Sequence, residues 1–194
     1  MNPVHRRRFL LGFAVLAFFL FSGCRFAGQV LSEITGASAE NQTFAVGTYG
    51  IDVSVPQGWE DTGAENFDLQ LFHSSIGMYM SVYGYTDDEF DPGTSPEEVF
   101  ERQNSSILTL REQVQELKDL QIEEYEDKTV YTILYSAEKD GNQNYYRVYL
   151  LDFKSSDKMA WILFTAMPAD MIAHSNTTSE IVANVTASGE ATSF

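Results

Sequence analysis

Residues 48–58 read TYGIDVSVPQG, with Ile51, Val53 and Val55 alternating against Asp52 and Ser54. A period of two puts one face in a core and the other in water, so the segment predicts a strand. Pro56 ends it because proline cannot donate to a ladder. Residues 67–72 alternate in the same way through Phe67, Leu69 and Leu71. Residues 78–86 set Met78, Met80 and Val82 opposite Tyr79, Ser81, Tyr83 and Tyr85. The short Ser74-Ser75-Ile76-Gly77 stretch between these two runs predicts a hairpin. After the Asp91-Pro92-Gly93 turn the period changes. Ser95 and Glu98 form a capping box around Pro96, and Val99, Gln103, Ile107 and Leu110 share one face beside Phe100. That pattern predicts a helix laid over a sheet and fading near Arg111.

A second strand region follows. Residues 120–125 predict a strand, and residues 129–139 and 144–154 flank Asp140-Gly141-Asn142, a strong hairpin signal. Residues 159–167 (MAWILFTAM) are almost wholly apolar, which predicts a central strand buried on both faces and stopped by Pro168. Trp161, on that strand, and Trp59, just after the first, are therefore expected to be buried. Spaced apolar residues from Met171 to Val185 predict one last helix over residues 169–187. The order β-β-β-α-β-β-β-β-α is that of an α+β fold. We expect an antiparallel sheet of about six to seven strands packed with two helices. A single domain over residues 46–190 buries roughly 68–70% of the unfolded chain's surface and needs no disulfide.

The first 45 residues follow another logic. Arg6, Arg7 and Arg8 precede a 13-residue apolar run over residues 9–21, and Ser22-Gly23-Cys24 comes next. Charged, apolar and small segments in that order predict a secretory signal peptide over residues 1–23. The run falls short of the roughly 20 apolar residues of a membrane span. Phe21-Ser22-Gly23-Cys24 resembles the bacterial lipobox, with Phe21 where that motif favours Leu. The resemblance implies diacylglycerol on the Cys24 sulfur, cleavage before it, and a lipid-bilayer partner held through acylated Cys24. Each buried methylene contributes about 0.8 kcal/mol to such an anchor. Residues 24–45 then serve as lipidated cysteine and tether. Arg6-Arg7-Arg8-Phe9-Leu10 also resembles a twin-arginine signal, although a basic start to the general secretory route is the simpler reading. Both routes place the domain outside the cytoplasm at the cell membrane.

Charge narrows the chemistry. The chain carries 28 acidic and 12 basic residues, a net −16. Nucleic acid is excluded as a partner, because phosphate binding needs clustered Lys and Arg. One cysteine and three histidines (His5, His73, His174) exclude an internal disulfide and a thiolate-rich zinc site. The sequence has no phosphate loop, nucleophile elbow, paired-His motif or EF-hand, so no cofactor and no catalytic residue is expected. Asp87, Asp88, Glu89 and Asp91 put four carboxylates into five residues, a partial oxygen set for calcium or manganese. The simpler reading is a solvated loop before a helix N-terminus, where negative charge is favourable. Glu123, Glu124, Glu126 and Asp127 form a similar run. Tyr79, Tyr83, Tyr85, Tyr131, Tyr135, Tyr145, Tyr146 and Tyr149 all fall on predicted strands. They are either cross-strand packing or an aromatic binding surface. Sequons begin at Asn41, Asn104, Asn176 and Asn184, and after a bacterial leader they are expected to be chance.

Residues 49–59 (YGIDVSVPQGW) are similar to the opening of PsbP-like domains. That resemblance implies a central antiparallel sheet between helices and no shared catalytic residues. It further implies a small extracytoplasmic module that binds or assembles with an unknown protein or small ligand. The leading expectation is thus a non-catalytic, membrane-tethered lipoprotein. A cation-binding accessory protein is the second and an enzyme of unrecognised type the third.

Overall fold

The computed structural model describes residues 41–188. Cys24 and the signal peptide expected over residues 1–23 lie outside the described residues, as does most of the tether. Seven antiparallel strands make the main sheet in the order β3-β4-β5-β9-β8-β7-β6. They are β3 (Trp59–Asp61), β4 (Leu69–His73), β5 (Met78–Thr86), β6 (Glu112–Glu124), β7 (Lys128–Lys139), β8 (Asn142–Phe153) and β9 (Lys158–Ala166). A small second sheet, ordered β1-β2-β10, joins β1 (Gln42–Ala45), β2 (Ile51–Val55) and β10 (Thr186–Ala187). The helices are α1 (Pro96–Leu108), α2 (Pro168–Ala173) and α3 (Ser175–Ala183). The architecture is α+β, as the element order predicts.

The main sheet lies between two cores, and β9 supplies both. Ala160, Ile162 and Phe164 face the first core with Met80, Val82, Tyr149 and Leu151. The β2 residues Ile51, Val53 and Val55 close that core, together with Met171, Ile181 and Val182 from α2 and α3. Met159, Trp161 and Leu163 face the second core under Val99 and Phe100 of α1. A strand covered on both sides has no wet face, hence its unbroken apolar run. Trp59 and Trp161 are both fully buried. The hairpin between β7 and β8 turns on Asp140 and Gly141, with φ of 54° and 77°. Positive φ at both turn residues suits the twist of the flanking strands.

Four boundaries differ from expectation. Gln42–Ala45, expected as the end of the tether, forms β1 and pairs with β2. β6 begins at Glu112, well before residue 120. As the outermost strand it is exposed along nearly its whole length and broken by register shifts, so its sequence carries no apolar alternation. The single helix expected over residues 169–187 is two helices meeting at His174, followed by β10. The α3–β10 junction is held by Lys128, whose buried ammonium donates to the carbonyls of Ala183 at 3.0 Å and Val185 at 2.9 Å. Its ion pair with Asp127 spans 3.1 Å. Finally, Trp59 itself belongs to a short edge strand, β3, paired with β4.

Candidate functional site

On the α1 side, β5 presents Tyr79, Ser81, Tyr83 and Tyr85, every second residue of the strand. Antiparallel register extends these positions into rows across the sheet. Tyr79 aligns with Thr165 and Tyr146, and Ser81 with Leu163 and Val148. Tyr83 aligns with Trp161 and Leu150. Helix α1 packs over the β7–β9 part of these rows. Phe100 meets Tyr131 at 6.3 Å between ring centroids, and Trp161 Nε1 donates to the buried Asn104 Oδ1 at 3.4 Å. Beyond the helix Tyr79 is exposed, and Tyr83 and Thr165 are half-buried. The result is a groove of about 900 Å³.

Its floor is Tyr79, Ser81, Tyr83, Leu163, Thr165 and Tyr146, and its walls are Gln103, Ser106 and Ile107 of α1 against Asn66, Phe67 and Gln70. Arg111, Lys139 and Asn144 also line it. The floor is held in place by its own contacts. Phe72 stacks on Tyr79 at 4.4 Å, and Phe67 tilts against Tyr83 at 5.1 Å. The Tyr83 hydroxyl donates to the Asn66 carbonyl at 2.7 Å, and Gln70 Nε2 donates to Ser81 Oγ at 2.9 Å. Burial, reinforced by the Asp68 carboxylate, raises the Tyr83 phenol above its ordinary pKa. Burial first, then Tyr83 and the nearby carboxylates, raises Tyr85 much further. Both hydroxyls therefore remain protonated donors at neutral pH. The Arg111 guanidinium sits 5.0 Å from the Tyr146 ring centroid, a cation–π contact. None of the lining residues is Asp or Glu.

The tyrosines are thus divided by position. Tyr79, Tyr83 and Tyr85 line the groove, Tyr131, Tyr135 and Tyr146 belong to the core on the same face, with buried Tyr146 at the base of the groove, and Tyr145 and Tyr149 pack on the opposite face. On that opposite face a polar cavity of about 230 Å³ lies between β6–β8 and α3. Arg147 there already donates to Ser175 O and Thr178 Oγ1, both at 3.0 Å.

The acidic loop serves local structure. Asp87–Glu89 is a 3-10 turn. Thr86 N donates to Glu89 Oε1 at 3.0 Å, and the Thr86 hydroxyl donates to Asp88. The Asp91 carbonyl accepts from Thr94 Oγ1 at 2.8 Å. Among the described residues, no three His, Cys, Asp or Glu side chains gather as a metal-holding group. His73 meets the Trp59 ring edge-on at 5.4 Å, and His174 sits at the α2–α3 junction. Asn104, inside one of the sequons, is buried against Trp161 and unavailable to a glycan. Sequence reasoning did not assign Arg111, Lys139 or Gln103 to a site. Their only signal was position: Arg111 lies between α1 and β6, Lys139 is the last residue of β7, and Gln103 lies on the apolar face of the helix.

No known family profile matches the chain, and no curated protein matches it significantly. Solved structures do. Cyanobacterial PsbP from Synechocystis superposes with a TM-score of 0.59 at 10% identity, covering 79% of this chain and 96% of that one. The Saccharomyces cerevisiae Ran-binding protein Mog1p gives 0.54 at 16% identity, covering 77% and 96%. LpqN, involved in cell envelope biogenesis of Mycobacterium tuberculosis, gives 0.53 at 11% identity, covering 78% and 86%. Element order, sheet topology and these superpositions agree: the chain has a PsbP/Mog1-like α+β fold.

Proposed function

We propose that this protein is a membrane-tethered extracytoplasmic lipoprotein whose folded domain acts as a non-catalytic binding or assembly module through the groove beside α1. The observation that carries the binding reading is the strip of sheet at Tyr79, Ser81 and Tyr83, where Tyr79 is exposed, Tyr83 half-buried and Ser81 recessed between them. It combines aromatic rings, hydroxyls and amides in one concave surface, which is the composition of a recognition site. The leader and Cys24 support the tether. Among proteins of the same fold, one binds Ran and another is involved in cell envelope biogenesis, which accords with a binding role.

Two measurements test this reading. Mass spectrometry of the native protein should find a mature chain beginning at acylated Cys24, and Cys24→Ser should stall processing. An intact Met1 terminus or a free Cys24 thiol would replace the lipid anchor with a plain one. For the groove, a photo-crosslinking residue at Tyr79, compared with one at Leu120 on β6, should give a discrete adduct in native membranes only from position 79. Equal labelling at both positions would remove the groove from the proposal.

A further inference from the structure

The groove differs from the rest of the surface in charge. In a chain with 28 acidic and 12 basic residues, its lining contains two cations and no carboxylate. Most other basic side chains of the fold are engaged. Lys128 and Lys154 are ion-paired, Lys158 donates to Ser188 O, and Arg147 donates to Ser175 and Thr178. Arg111 and Lys139 form no ion pair among the described residues. The Arg111 Nε is shielded from solvent with no hydrogen-bond partner, and its Nη1 reaches only the Leu110 carbonyl, at 3.4 Å. The cation–π contact with Tyr146 holds the guanidinium over the ring while leaving donors unused. An arginine oriented in this way is suited to a carboxylate, sulfonate or phosphate, which it meets with charge-assisted and often paired hydrogen bonds.

Building on the binding role proposed for this groove, we infer that its occupant is a small organic anion with a flat, ring-based body. The ring lies over Tyr79 and Tyr83, where aromatic faces favour offset or edge-on contact with another ring. The acidic group reaches Arg111 and Lys139. Local attraction must do the selecting, because the net negative charge of the chain repels anions at long range. Partial burial of Arg111 strengthens that local attraction by lowering the effective dielectric.

The experiment compares naphthalene-1-sulfonate with its uncharged counterpart, naphthalene-1-sulfonamide, by calorimetric titration of the detergent-solubilised full chain against a detergent blank. The sulfonate should bind one-to-one and about tenfold or more tighter than the sulfonamide. Arg111→Gln should abolish that preference, Arg111→Lys should retain part of it, and Tyr79→Ala should weaken both ligands alike. A thermal melt of each variant separates loss of binding from loss of fold. Equal affinities that ignore Arg111→Gln would overturn the anion and leave the groove as a binding site. No binding of either ligand, or binding unmoved by Tyr79→Ala, would overturn the groove as well. A dimer that must dissociate before the sulfonate binds would make a second copy the occupant and overturn the proposal.

Discussion

The two faces of the main sheet are covered unequally. One is closed by the small sheet together with α2 and α3, and its core extends from Val46 to Val185. The other has a single helix of 13 residues. A helix is about 10 Å across and strands lie about 4.8 Å apart, so one helix shades roughly two or three strands. Seven strands are too wide for it. Where cover is complete the β5 residues are Met78, Met80 and Val82, and where it runs out they are the exposed Tyr79 and the half-buried Tyr83, with the small Ser81 recessed between them. Tyrosine suits the uncovered strip because its ring packs sideways while its hydroxyl meets water or a backbone acceptor. A fold that covers one face incompletely thereby acquires a concave surface at no cost to its other core.

The largest test of this contrast is Trp161→Ala. Trp161 is fully buried beneath α1, and its loss should cost about 3–5 kcal/mol in a denaturant titration. Retained stability would mean that α1 does not seal the sheet there. Lys128→Ala comes next. It strands the carbonyls of Ala183 and Val185 on the closed face, and we expect a loss of about 2–3 kcal/mol. An unchanged midpoint would show that the α3–β10 junction is held by apolar packing alone.

A smaller effect is expected at Asp152, which is half-buried on the α1 side of β8. Burial, followed by the Asp87 and Glu124 carboxylates, raises its pKa above the usual aspartate range. The folded state therefore holds this proton more tightly than the unfolded state. Stability from this group is full below the unfolded pKa and is lost as pH rises through the folded one. Asp152→Asn should stabilise the protein at pH 7 by less than about 1 kcal/mol, since solvent screens a half-exposed group. The gain should vanish below about pH 3, where aspartate is protonated in both states. A gain that persists in acid would trace to packing and not to charge. The smallest effect belongs to Tyr79→Ala. Tyr79 is 43% exposed, and its removal should change stability by no more than about 0.5 kcal/mol. A cost above about 1 kcal/mol would make the open strip part of the core, and so collapse the contrast between the two faces.

Much of this fold could be read from residue patterns. Ser95 and Glu98 cap α1 as their spacing predicts, through Ser95 N to Glu98 Oε2 at 2.8 Å. Asp140-Gly141 turns the β7–β8 hairpin, and the apolar run around Trp161 is the middle strand of seven. The misreadings share a cause. The first half of β6 and the short strands β1 and β10 have few apolar residues of their own, and their pairing comes from partners distant in sequence. Ser188 N, for instance, donates to the Gly50 carbonyl at 2.8 Å. Leu110, assigned by periodicity to the buried face of the helix, is 75% exposed because α1 ends at Leu108.

The sequence by itself determined which β5 side chains share a face, because alternation in an extended chain is a local property. It also determined that the surface would be acidic, which makes a carboxylate-free patch conspicuous. Only the tertiary structure decided which tyrosines would be covered: Tyr131 lies under Phe100, whereas Tyr79 lies beyond the reach of the helix. The same holds for Arg111, which leaves the end of α1 and meets Tyr146 on β8 because sheet register and helix placement bring the two together. Local patterns fix the direction of a side chain. What it meets depends on long-range packing that no short window of sequence contains.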